Sequence, residues 1–285
     1  MTILKPVFLA FLYMTLVAAP AQAMDNAREQ RWARQVVDFL ATGEPQWLNA
    51  EGQKFLSIYT PSSESTTSGN TKGAVILLHD QGVHPAWPRV IQPLRTQLPA
   101  QGWATLSLQM PVLSREAKPE DYIPVFKFVP VRIQAALEFL TKQGVNNIIL
   151  LGHGLGANMA TDYLVKHHDT RIKAFIGIDM AGNRQPTGYL VLDNVSAMLQ
   201  MKIPILDVYG SKTNPAVLNS ADRRAFAVYQ TGNFHSRQIK IDNANSFFEG
   251  HEDELLHVIT KWIAEFSTTK QSDQFVSTNN PLHSK

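Results

Sequence analysis

The chain has 285 residues, of which 44% are hydrophobic and 18% charged, and its formal net charge is +2. This length permits one large α/β domain or two small ones, and the composition suits a globular protein and excludes a disordered chain. The near-neutral net charge gives no indication of a basic surface that could bind nucleic acid. The absence of cysteine excludes disulfides, thiolate metal sites and a cysteine nucleophile.

The N-terminus carries the pattern of a secretory signal peptide. Lys5 supplies a short basic start, Val7 to Ala19 is an apolar run, and Ala21 to Ala23 fits the small-x-small cleavage pattern. The run is interrupted too early for a transmembrane helix, which needs about 20 apolar residues. We therefore predict a cleaved signal over residues 1–23, an exported protein, and no transmembrane segment after cleavage; an uncleaved anchor is the alternative.

Strands and helices alternate along the rest of the chain. Apolar runs or polar–apolar alternation predict strands at 54–59, 73–79, 103–108, 147–151, 174–179, 203–210 and 237–241. Helical spacing predicts helices at 25–41, 90–98 and 130–139, directly after Gly156, and at 252–266. This alternation implies a mostly parallel sheet with helices on both faces, in one domain over 24–266. Residues 62–71 are interpreted as an exposed loop and 267–285 as a polar, disordered tail.

A buried strand, a glycine turn and a helix meet at Gly152 to Gly156. This is the shape of a nucleophile elbow, G-x-S-x-G, in which a tight turn exposes a serine hydroxyl beside donors for the oxyanion. Here Gly154 stands where that serine would be. Glycine tolerates positive φ without penalty, but it has no side chain with which to attack a substrate. The motif therefore predicts a hydrolase fold that lacks its nucleophile.

The order of these elements resembles the α/β-hydrolase superfamily and, more narrowly, an exported bacterial α/β-hydrolase-like family known as domain of unknown function 3530. The resemblance runs from about Trp47 to Ile263. Its most telling segments are 78–87, 102–107, 206–211 and 247–255. It implies an α/β-hydrolase fold with a mostly parallel central sheet, and a periplasmic location if the source is a Gram-negative bacterium. It implies no particular substrate.

Such hydrolases also need an acid after a late strand and a histidine before the last helix. In this chain the place of the acid is held by Thr213 and that of the histidine by Ser246. Asp207 and His251 are the possible substitutes. For Asp207 we favour a structural hydrogen bond, and for His251 a position at the start of the last helix.

The missing groups predict a pseudoenzyme, although the sequence leaves open whether any activity remains. In a serine protease of another fold, loss of the nucleophile or the histidine alone costs about 10⁶ in turnover. We expect a binding or scaffolding role with an unknown small ligand or protein partner, and no cofactor. A cleft is expected at the carboxyl ends of the strands. The residues predicted to line it are His79, Asp80, Gln81, His153, Gly154 and His251.

An esterase-type hydrolase with a non-standard nucleophile or base is the first alternative. Ser107, Ser211 and Ser246 are its candidate nucleophiles, and Asp80 could orient a water molecule.

A dinucleotide-binding protein is a further alternative. Gly152 to Ala157 comes close to G-x-G-x-x-G/A, and Asp179 falls about 20 residues after the motif, at the end of the next strand. However, the motif lies in the middle of the chain, whereas a Rossmann unit places it at the first strand–helix turn. The histidines are scattered and form no H-E-x-x-H cluster, so no metal site is predicted.

Overall fold

A computed structural model describes residues 24–63, 71–182 and 193–278. The side chains of residues 119, 120 and 266–278 are not described. The predicted signal peptide at 1–23, most of the loop predicted at 62–71, and residues 279–285 of the predicted tail lie outside these ranges.

Eight strands form a single sheet in the order β1-β2-β4-β3-β5-β6-β7-β8. They are β1 (Glu44–Ala50), β2 (Gln53–Thr60), β3 (Gly73–Leu78), β4 (Trp103–Leu108), β5 (Ile148–His153), β6 (Ile172–Ile178), β7 (Ile205–Gly210) and β8 (Arg237–Ile241). β1 pairs antiparallel with β2, and β2 with β4, whereas the other neighbours are parallel. The predicted mostly parallel sheet is confirmed.

The described helices connect the strands and cover the sheet. They are α1 (Asn26–Asp38), α2 (Ile91–Gln97), α3 (Val129–Lys142), α4 (Leu155–Lys166), α5 (Asn194–Gln200), α6 (Pro215–Leu218), α7 (Ala221–Gln230) and α8 (Glu252–Thr278). Among the described residues no helix is both long enough and apolar enough to cross a membrane.

Both faces of the central strands are buried, which explains their continuous apolar runs. On one face Ile133 of α3 and Ala160 of α4 belong to the main hydrophobic cluster. On the other face Leu94 of α2 and Trp262 of α8 belong to a second cluster. Every residue of β3, β4, β5 and β7 is buried between these two layers.

The structure differs from the sequence-based prediction at β1, α5, α6, α7 and the end of the last helix. β1 was not predicted, because this edge strand is half-exposed and has no continuous apolar run. α7 was not predicted either, because its buried face includes the charged Arg224 between the apolar Ala221 and Ala227. The last helix continues past the predicted end at 266 to Thr278, so the start of the predicted disordered tail is helical.

Candidate functional site

The turn between β5 and α4 has kept the backbone geometry of an elbow. Gly154 lies between His153, the last residue of β5, and Leu155, the first residue of α4, with φ +53° and ψ −118°. Residues with a Cβ rarely adopt this backbone conformation, which costs glycine the least free energy. α4 approaches the sheet closely, since a Cβ added to Gly156 would lie 2.3 Å from the Leu78 carbonyl oxygen. The turn and its close packing therefore persist without the serine.

The side chain of Asp80, two residues after the end of β3, fills the place that a nucleophile would occupy. A Cβ built on Gly154 would lie 2.1 Å from Asp80 Oδ1 and 2.2 Å from Asp80 Cγ. The same Oδ1 accepts hydrogen bonds from the backbone N–H of Gln81 at 2.6 Å and of Leu155 at 2.7 Å. In α/β-hydrolases the oxyanion hole consists of the N–H after the nucleophile and an N–H from the loop after β3. Leu155 and Gln81 are the corresponding donors, so a carboxylate of the protein itself occupies the oxyanion hole.

The two late triad positions lie side by side, but both carry hydroxyl groups. Thr213 Oγ1 and Ser246 Oγ are 2.7 Å apart. Thr213 donates to Asp179 Oδ2 at 2.8 Å, and the Ser246 hydroxyl also forms a hydrogen bond with Asp179. The spacing of an acid–histidine pair is retained, whereas a base that could take up a proton at neutral pH is missing from both positions.

Asp179, directly after β6, has contacts at the site that differ from the role the sequence suggested for it. It is buried, and its backbone has the unusual φ of +51°. Burial raises the pKa of its carboxyl group, while the hydrogen bond from Thr213 and the charge of His153 act in the opposite direction. In the dinucleotide alternative it would bind a ribose, but here it accepts the Thr213 hydroxyl.

Two histidines predicted to line a cleft are buried and support the backbone of the site. His79 Nδ1 donates to the Asp80 carbonyl oxygen at 2.8 Å, and its Nε2 accepts the N–H of Met110 at 3.0 Å. Burial lowers the pKa of His79 to about 3, so its ring is neutral at ordinary pH. His153 Nε2 donates to the Ser246 carbonyl oxygen at 2.8 Å. The first ring positions the Asp80 backbone and the second positions the Ser246 loop.

The two possible substitutes for the acid and the base are engaged elsewhere. Asp207 forms a fully buried ion pair with Arg224 at 2.8 Å and accepts a hydrogen bond from Gln238 at 2.7 Å. His251 lies just before α8, and its Nδ1 is 3.2 Å from a carboxylate oxygen of Glu254. The hydrogen bonds of both residues therefore run to partners outside the elbow, in line with the structural roles favoured from the sequence.

The remaining candidates have structural contacts as well. Gln81 Nε2 donates to the Ala117 carbonyl oxygen at 2.8 Å and thereby holds the loop after β4. The buried Ser107 hydroxyl donates to the Pro85 carbonyl oxygen, and Ser211 Oγ accepts the N–H of Asn243. Of the three candidate nucleophiles, only Ser246 lies next to Thr213 and Asp179 at the elbow. Within the described part of the chain no three histidine, aspartate or glutamate side chains are grouped so that they could hold a metal ion.

A phosphate at the start of α4 would compete with Asp80. The N-terminus of a helix favours an anion because its first N–H groups lack partners within the helix. Here the N–H of Leu155 already donates to the Asp80 carboxylate. This contact weighs against the dinucleotide alternative.

The sheet order and the elbow define the α/β-hydrolase fold. Est1E from Butyrivibrio proteoclasticus is similar with a TM-score of 0.58 and 14% identity, over 79% of this chain and 98% of its own. TT1662 from Thermus thermophilus gives a TM-score of 0.60 and 14% identity over 79% and 98% of the chains. Dienelactone hydrolase from Anabaena variabilis gives 0.59 and 18% over 79% and 97%. At these identities the likeness concerns the fold alone.

A sequence comparison assigns the family. The profile of the family described as "Protein of unknown function (DUF3530)" matches residues 14–127 and 125–265. The chain belongs to this family, as its motifs predicted. A comparison with curated protein sequences finds no match.

Proposed function

We propose that this protein is an exported, non-catalytic member of the α/β-hydrolase fold with a binding or scaffolding role. The observation that supports the absence of catalysis most directly is the Asp80 carboxylate. It occupies the space of the nucleophile's side chain and accepts hydrogen bonds from both amides of the oxyanion hole. Three losses therefore coincide at one site: the nucleophile, the acid–base pair and the free oxyanion hole.

The occupation of the oxyanion hole removes a source of residual catalysis. A protease without its triad retains a rate about 10³–10⁴-fold above that in water, through its oxyanion hole and substrate binding. Removing a single donor of such a hole costs about 10²–10³ in kcat. In this protein both donors already bind an anion, so the developing negative charge of a substrate would have to displace the Asp80 carboxylate. The residual catalysis of a triad-less hydrolase is therefore not expected here.

The test is hydrolysis of short p-nitrophenyl esters together with labelling by a fluorophosphonate probe, which reacts with activated serines. We expect ester turnover no faster than with the heat-unfolded protein, and no covalent label on the folded protein. Stoichiometric labelling of the folded protein would contradict the proposal.

A hydrolase that uses Ser246 is the second candidate, because a chain of hydrogen bonds leads from Ser246 through Thr213 to Asp179. The pKa of Asp179 is raised by its burial, which is a property of many general bases. If this alternative holds, Ser246→Ala will abolish probe labelling while the matched control Ser211→Ala retains it.

Export is the second part of the proposal. Cleavage after Ala23 would leave Met24 as the first residue of the mature chain. Met24 would directly precede the first described helix, since the Asp25 carboxylate caps α1 by accepting the N–H of Arg28 at 2.8 Å. The N–H of Asp25 also donates to the Val112 carbonyl oxygen at 2.9 Å. A chain that starts at Met24 would therefore keep all of the described helices and strands.

A further inference from the structure

A cavity that the elbow does not use lies at the opposite edge of the sheet. It has a volume of about 640 Å³ and lies where β6, β7 and β8 begin, whereas the elbow lies where β5 ends. Because these strands are parallel and about six residues long, the two edges are about 20 Å apart. The volume falls within the range of about 300–1,000 Å³ that is typical of small-molecule sites.

The walls of this cavity are mostly apolar. Leu164, Ile172 and Met201 line it and also belong to the main hydrophobic cluster, so the cavity floor is an opening into the core. Phe234 lies at the rim and is 76% exposed, with its ring against that of His235. Exposed aromatic surface next to an apolar cavity is typical of a binding site.

The charged side chains at this cavity favour an anion. Lys173 and Lys202 line it, while the carboxylate among its lining residues belongs to Asp169. Both oxygens of Asp169 accept hydrogen bonds from Arg171, at 2.9 and 2.6 Å. These hydrogen bonds lower the pKa of Asp169, and Arg171 balances its charge. The positive charges of Lys173, Lys202 and Arg171 thus outnumber the carboxylate of Asp169, whose pKa the charge of Lys173 also lowers.

We propose that this cavity, referred to below as the amino-edge cavity, binds a single-chain amphiphile with an anionic head. The alkyl chain would enter between Leu164, Met201 and Ile203, and the carboxylate or phosphate head would remain near Lys173 and Lys202. This inference goes beyond the proposed absence of catalysis and does not depend on it, because the cavity shares no lining residue with the elbow.

Calorimetric titration of the purified protein with octanoate, decanoate and dodecanoate, each below its micelle concentration, tests the proposal. We expect saturable binding with one site per chain. Affinity should rise about fourfold for each added methylene until the cavity is full, because burying one methylene contributes about 0.8 kcal/mol. Dodecyl phosphate serves to distinguish a phosphate from a carboxylate head. Binding of dodecyltrimethylammonium as tightly as dodecanoate would overturn the proposal.

Two variants locate the site. Ile203→Trp fills the cavity and should abolish dodecanoate binding, with thermal unfolding measured to show that the variant folds. The double variant Lys173→Glu/Lys202→Glu should weaken dodecanoate binding about tenfold, because it removes two charge contacts that each contribute about 0.7 kcal/mol. Phe226→Ala, at an exposed position of α7 outside the cavity, is the matched control and should bind normally. Unchanged binding in both cavity variants, or a dimer that Ile203→Trp dissociates, would contradict the proposal.

Discussion

At the scale of single residues, the Asp80 carboxylate occupies the elbow in place of a nucleophile. Asp80 comes from the loop after β3 and reaches the turn that begins α4, where it accepts two backbone hydrogen bonds. Glycine at position 154 then has two roles. It adopts a φ of +53°, and it leaves room for the Asp80 side chain. The loss of the serine and the position of Asp80 are therefore sterically coupled.

This coupling predicts non-additive stability. Gly154→Ser should reduce the free energy of unfolding by about 2–4 kcal/mol, because it combines backbone strain with overpacking against Asp80. Asp80→Gly removes the obstructing carboxylate, so the double variant should be about 1–3 kcal/mol more stable than the sum of the single changes. Urea unfolding of the four proteins measures this coupling. The double variant should still fail to hydrolyse esters, because Thr213 and Ser246 provide no base.

The matched control for this cycle keeps the volume of the side chain. Asp80→Asn retains an oxygen that can accept from Leu155 and Gln81, so it should couple with Gly154→Ser far less than Asp80→Gly does. Simple additivity in both cycles would show that the two side chains do not compete for one space.

At the scale of elements, a buried ion pair joins α7 to the sheet. Arg224 of α7 donates to Asp207 of β7, and both side chains are fully buried. Arg224 also donates to the Val217 carbonyl oxygen and to the Ser220 hydroxyl. These contacts hold α6 and α7 against β7 and thereby fix the segment that carries Thr213. Asp207 therefore acts on the site indirectly, by holding α6 and α7 in place.

Removing one partner of this ion pair should be costly. Asp207→Leu leaves the Arg224 guanidinium buried without its counter-charge, and we expect a loss of about 3–5 kcal/mol in the free energy of unfolding. The double variant Asp207→Leu/Arg224→Met buries no charge and should lose less than Asp207→Leu alone. Urea unfolding is the measurement. A single variant as stable as the wild type would show that the pair does not hold α7.

At the scale of the whole molecule, the two edges of the sheet have different properties. The carboxyl edge has the architecture of a hydrolase site, and its oxyanion donors are occupied by Asp80. The amino-edge cavity is open and lined mostly by apolar residues. The start of α1 contacts the loop after β4, because the N–H of Asp25 donates to the Val112 carbonyl oxygen.

Export can be tested on the whole chain. When it is expressed in a Gram-negative host, we expect mass spectrometry of the periplasmic fraction to find a mature protein that begins at Met24. Ala23→Lys should block cleavage, because signal cleavage requires a small residue at this position. Ala27→Lys, at an exposed position of α1, is the matched control and should be processed normally. An intact N-terminus at Met1 in the wild-type protein would contradict the prediction.

Much of the fold could be predicted because the burial of an element produces a local pattern of apolar residues in the sequence. The runs that became β3 and β5 are continuously apolar, since helices cover both faces of the sheet. β1 has no such apolar pattern, because its side chains are partly exposed and its position depends on pairing with β2. The end of the last helix was misplaced, because the polar residues after 266 show no apolar periodicity.

The sequence by itself determined the glycine motif of the elbow with Gly154 at its centre, and it predicted Thr213 and Ser246 at the positions of the acid and the histidine, because these are matters of residue type at positions that a motif defines. Tertiary structure alone decided that Asp80 occupies the oxyanion hole, that Asp179 joins the two hydroxyls, and where the amino-edge cavity lies. The physical reason is distance along the chain: Asp80 and Leu155 meet only because β3 and β5 are paired. A side chain's partner across a sheet is set by strand order and register, which leave no pattern near either residue.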